Sequence, residues 1–133
     1  MTRSELRKNI FKIIFRLEFH QEEAMDEQLA LRLAELEEEE VSSKDLTYIC
    51  NKAKAIMECI DELDEVIAAH SKGWKVERLG KTELAILRLA AYEILKDSDI
   101  PKSVAINEAV ELAKIYATDE APRFINGILA KLG

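Results

Sequence analysis

Helix-breaking residues are scarce in this chain. Two prolines and four glycines in 133 residues are too few for a turn-rich β fold or a disordered linker. Cysteine is almost missing: Cys50 and Cys59 lack CxxC spacing, which excludes a disulfide framework and fits a reducing compartment. His20 and His70 are solitary, so neither has the spacing of a zinc ligand. No apolar run approaches the roughly 18 residues a membrane span needs. Nor do the residues after Met1-Thr2-Arg3-Ser4-Glu5 form the apolar segment of a secretory leader, so a cytoplasmic location without membrane contact is expected. Gly-rich phosphate loops, H-E-x-x-H, G-x-S-x-G and Ca²⁺ loops are all absent, and neither catalysis nor a cofactor is expected.

What is present is apolar and charged in helical order. Hydrophobic residues make up 48% and charged residues 34% of the chain. At this length one domain is expected, burying roughly two-thirds of its unfolded surface without metal or disulfide. The net charge of −7 is unevenly spread. Residues 1–20 carry five basic and two acidic side chains, residues 21–72 five and fifteen, and residues 73–133 nine of each. The acidic total argues against indiscriminate nucleic-acid binding, while the basic start permits a local anionic contact.

The periodicity predicts an all-α compact bundle of about seven helices in two sub-bundles, residues 1–72 and 73–133. The first helix spans Arg3 to Phe19, with Leu6, Ile10, Ile13, Ile14 and Leu17 on one face. A second spans Met25 to Glu40 and ends in four glutamates, which oppose the helix dipole and predict fraying. Ser42 or Ser43 caps one long helix from Lys44 to His70, closed by Gly73. A short element at Trp74–Leu79 leads to a helix that ends near Lys96 and is apolar almost all round, which places it centrally. Ser103 is the expected cap of a helix from Val104 to Tyr116, and Pro122 fits the first turn of the last. Gly127 inside that helix suggests close approach of another backbone. Arg88, in the apolar helix, needs a partner or a route to the surface, and Glu108 and Glu111 are candidates by type.

One surface pattern bears on function. Lys8, Lys12 and Arg16 recur every four residues, and Phe11, Phe15 and Phe19 recur likewise on the adjoining strip. Basic side chains hold phosphates and aromatic faces stack on unpaired bases, so the strips form a candidate single-strand RNA surface. The competing reading is that the three phenylalanines simply widen the core contact.

From Trp74 to Leu132 the motifs are more specific. They run Trp74-Lys75-Val76-Glu77-Arg78-Leu79, Ile86-Leu87-Arg88-Leu89-Ala90-Ala91-Tyr92-Glu93-Ile94-Leu95 and Ile100-Pro101. Val104-Ala105-Ile106-Asn107-Glu108-Ala109-Val110-Glu111-Leu112-Ala113-Lys114 and Phe124-Ile125-Asn126-Gly127-Ile128-Leu129 follow. In order and spacing this resembles the NusB family of bacterial transcription antitermination factors. The family's opening pattern of arginines and R-x-x-A-x-Q-x-L-Y is met by Arg3 and Arg7, with Lys12 at the Gln, Ile14 at the Leu and Phe15 at the Tyr. Ser4 and Glu5 stand where further basic residues are common.

The resemblance implies a protein that pairs with NusE, a small-subunit ribosomal protein, and binds boxA-type single-stranded RNA. It implies entry into an elongating RNA polymerase complex with other Nus factors, notably on ribosomal RNA operons. By position, the implied RNA side comprises Arg3, Arg7, Lys8, Lys12, Phe15, Glu120, Arg123 and Phe124. Glu83 and Arg88 are the implied partner side. Two alternatives accompany it: a NusB-like protein-interaction module with weak or no RNA binding, and a homodimer that masks the RNA face. Such a domain also precedes the catalytic domain of some ribosomal-RNA cytosine methyltransferases. With no methyl-donor-binding segment here, that activity is not expected.

Overall fold

A computed structural model describes residues 1–19, 24–71 and 79–133. Among the described residues there are seven helices and no strand: α1 Arg3–Leu17, α2 Met25–Glu38, α3 Ser43–Glu58, α4 Ile60–His70, α5 Lys81–Lys96, α6 Lys102–Tyr116 and α7 Ala121–Ala130. The expected element at Trp74–Leu79, apart from Leu79, and the Gly73 stop lie outside the described residues. The seventh helix arises differently. The long helix expected from Lys44 to His70 is two helices, interrupted at Cys59, whose φ of −123° and ψ of 22° leave the helical region. The Cys59 carbonyl still accepts the Leu63 N–H at 2.9 Å, so one residue separates α3 from α4.

The chain divides into two compact units at that break, Met1–Glu58 and Cys59–Gly133, rather than near residue 72. In the first unit, α1, α2 and α3 pack pairwise. Ile10, Ile14, Leu29, Leu36, Ile49 and Ile56 are fully enclosed there, each contributing roughly 1.5–3 kcal/mol by leaving water. Ser42, not Ser43, caps α3, its Oγ accepting the Asp45 N–H at 3.2 Å. The glutamate run at the end of α2 does not simply fray. Glu40 takes a left-handed φ of 64°, the Val41 N–H reaches the Leu36 carbonyl at 3.1 Å, and the Glu40 N–H reaches that of Glu37 at 3.0 Å. This is a Schellman closure with glutamate where glycine is usual. Arg32 offsets part of the negative charge through Glu35 at 2.9 Å and, at longer range, Glu39 at 3.9 Å.

In the second unit α5 is central, packing on α4, α6 and α7. Eight consecutive residues, Leu84 to Ala91, are buried. Helix α6 meets its neighbours through Ala105, Ala109, Leu112 and Ala113, a mostly small-residue face that permits close helix approach. It starts at Lys102 with Pro101 as N-cap, so Ser103 is inside the first turn and does not cap it. The Pro101 carbonyl accepts from Val104 and Ala105 at 3.0 and 3.1 Å, which fixes the start two residues earlier. The Lys102 ammonium donates to the Ala130 carbonyl at 2.9 Å, satisfying an orphan acceptor at the end of α7. Gly127 is exposed, and an added Cβ would meet nothing within 4 Å, so no backbone approach requires it.

Candidate nucleic-acid interface

Two surfaces carry the sequence-derived RNA residues, one on each unit. The first is α1. Its start is set by a capping box: the Thr2 hydroxyl accepts the Glu5 N–H and the Thr2 N–H donates to the Glu5 carboxylate, both at 3.1 Å. The Thr2 backbone N–H, then its hydroxyl, hold the Glu5 carboxyl below the usual carboxylate range. Glu5 is thus an acid at a position where the family favours bases, and its task is to close the helix start.

Along α1 the four-residue spacing controls what reaches solvent. At 3.6 residues per turn, each step of four advances about 40° around the axis. Phe11 starts on the core side and is 2% exposed, Phe15 is half-buried, and Phe19 is 57% exposed. Their rings remain in contact: Phe11 and Phe15 lie at 6.1 Å between centroids with a 29° interplanar angle, and Phe15 and Phe19 at 5.2 Å with 75°. Lys8 is half-buried, while Lys12 and Arg16 are exposed. Arg3, at the first helical residue, is also exposed. Arg7 differs: it faces the side of Ile14 and Phe11 and is only 4% exposed. Lys8, Lys12 and Phe15 therefore share a solvent-facing strip, and Arg7 lies behind it. Arg16 and Phe19 extend the strip toward the end of α1. Their spacing was visible in the sequence, but their exposure depends on how α1 packs.

The second surface is a cleft of about 560 Å³ at the starts of α5 and α7, lined by Leu79, Gly80, Glu83, Thr118, Asp119, Glu120, Arg123 and Phe124. It brings Glu83, assigned by resemblance to the partner side, together with Glu120, Arg123 and Phe124, assigned to the RNA side. Three carboxylates face one guanidinium, so phosphate is disfavoured and N–H donors of base edges are favoured. The acids suit the positive ends of two helix dipoles. Glu83 folds back over Gly80, and its carboxylate fills the space a Cβ at Gly80 would take. Gly80, Thr118 and Asp119 also line the cleft, and nothing in the sequence marks them beyond their place just before helix starts.

Arg88 does not line this cleft. It is 7% exposed and bound to Asp64 of α4, with Nε to Oδ1 at 2.8 Å and one terminal nitrogen to Oδ2 at 2.7 Å. The expected partners Glu108 and Glu111 are on α6, whereas these two bonds go to α4, where the two carboxylate oxygens of Asp64 match the fork of Nε and one terminal nitrogen. Among the described residues, every buried side-chain N or O has a hydrogen-bond partner, and no cluster of three His, Cys, Asp or Glu could hold a metal. His20 lies outside the described residues.

The chain matches the NusB family over residues 4–133. It belongs to that family. It is 50% identical over 131 residues to the transcription antitermination protein NusB of Agathobacter rectalis, covering 98% of each chain. Among solved structures, T. maritima NusB superposes with a TM-score of 0.83 at 32% identity, over 98% of this chain and 89% of that one. A chain in the crystal structure of a plectonemic RNA supercoil gives 0.82 at 26% identity, over 96% and 91%. The all-α architecture is that of NusB structures, and the NusB role in transcription antitermination is not enzymatic. No helix among the described residues is long and apolar enough to cross a membrane.

Proposed function

We propose that the chain acts in the cytoplasm as an antitermination factor that binds boxA-type single-stranded RNA together with NusE, within an elongating polymerase complex. The observation that carries this is the solvent-facing strip of Lys8, Lys12 and Phe15 on α1 of a NusB-family protein. Cations beside a partly exposed aromatic suit an unpaired, anionic strand. The cleft residues Glu120, Arg123 and Phe124 add a surface for base edges, and Glu83 and Arg88 remain assigned to the NusE side.

A second reading has its own support. The acid-rich cleft and the burial of Arg7 favour a protein-binding module with weak RNA affinity. Binding of boxA-like RNA and a scrambled control, each with and without NusE, separates the two. Selective binding that tightens with NusE is expected. NusE binding without preference for boxA-like RNA would support the module reading instead.

A further inference from the structure

Two residues beyond the end of α1 stands a large aromatic that is more than half exposed. Phe19 is 57% exposed, and Phe15 braces it in an edge-to-face contact at 5.2 Å. The Phe19 N–H bonds the Arg16 carbonyl at 3.1 Å, so the backbone bearing the ring is held to the helix. Continued past Leu17, the helical period puts Phe19 on the side of Lys8 and Lys12, with Arg16 about a sixth of a turn away. Glu18 falls on the core side of Phe19, away from Arg16, and is half-buried.

We infer that Phe19 is a base-stacking platform, with Arg16 and Lys12 as its phosphate contacts, which takes one unpaired base of a single-stranded RNA. This rests on the RNA-binding reading above and extends its surface beyond Phe15. Such a ring in water gains by covering its face, and the surrounding charge selects the cover. Beside two exposed cations, an apolar protein face would satisfy the ring but leave the cations unmatched. A nucleotide supplies both a π-face and a phosphate. Stacking at Phe19 is tolerant of base identity, because every base has a π-face. The platform therefore adds affinity and spacing rather than sequence choice.

The test uses the full chain and fluorescence anisotropy with a boxA-like single-stranded RNA. A matched series replaces one nucleotide at a time by an abasic residue. Phe19→Ala should weaken binding about ten-fold, and Phe19→Tyr should retain it. In the wild type one abasic position should cost a similar factor, and in Phe19→Ala that position should cost nothing more. Arg16→Ala should lower the magnitude of the log-log salt slope by about 0.7. Circular dichroism confirms that the variants fold, which the exposure of Phe19 favours. If the wild type binds RNA and Phe19→Ala binds as tightly, the platform is rejected while RNA binding stands. If Phe19→Ala loses only NusE pairing, the ring serves a protein partner and the inference falls. If the wild type binds no RNA even with NusE, both readings fall together.

Discussion

Arg88 and Asp64 form a two-point ion pair, at 2.8 and 2.7 Å, that ties α5 to α4 across 24 residues of sequence. The arginine side chain is 9% exposed and the aspartate 25%. Removing one partner leaves the other charge desolvated. Asp64→Asn is expected to cost about 2–3 kcal/mol, below the full buried-pair range because the aspartate is partly wetted. In urea titrations Asp64→Leu with Arg88→Leu should cost less than the sum of the single changes. Additive losses would mean the pair is not coupled.

Gly127 offers a separation of stability from function. With open space around its Cβ position and an exposed site inside α7, Gly127→Ala should stabilise the chain by about 0.5–1 kcal/mol. Thermal unfolding checks the sign. If RNA or NusE binding weakens while the melting temperature rises, the missing side chain serves a partner rather than the fold.

Glu40 sits in the left-handed region at φ 64°. Glycine avoids that penalty but is freer in the unfolded chain. The net expectation for Glu40→Gly is about 0.5–1 kcal/mol of added stability. A lower urea midpoint would contradict the Schellman geometry at the end of α2.

The start of α1 should respond to acid. Glu5 ionises more readily in the folded chain, because Thr2 N–H and hydroxyl groups bind the carboxylate. Its contribution is complete above the ordinary carboxylate range and is lost as pH falls through the lowered folded-state value. Amide exchange in the first turn should quicken over that window, and Glu5→Gln should flatten the response. Thr2→Ala, which removes the hydroxyl half of the box, should cost about 1 kcal/mol at neutral pH.

Much of the architecture could be read from periodicity. The apolar sides of α1 and α5 and the first turn of α7 at Pro122 follow from residue spacing and cap chemistry. The break at Cys59 does not. Ile49, Ile56, Ile60, Leu63 and Ile67 keep helical period straight through it, and no glycine or proline marks the spot. The Arg88 partner was hidden for a related reason: Asp64 is a neighbour only once α4 packs on α5. For the candidate site, spacing showed both α1 strips, but only packing distinguishes Phe11 as core, Phe19 as surface and Arg7 as enclosed. The cleft was beyond reach because its lining comes from two separate turns.

The unbroken burial from Leu84 to Ala91 has a kinetic consequence. Solvent reaches those amides only when α4, α6 or α7 departs, so their deuterium uptake should require opening of the whole second unit. They are then an internal gauge of that unit's stability. The α1 amides gauge the first unit independently, so a ligand's footprint on either can be assigned from two exchange rates.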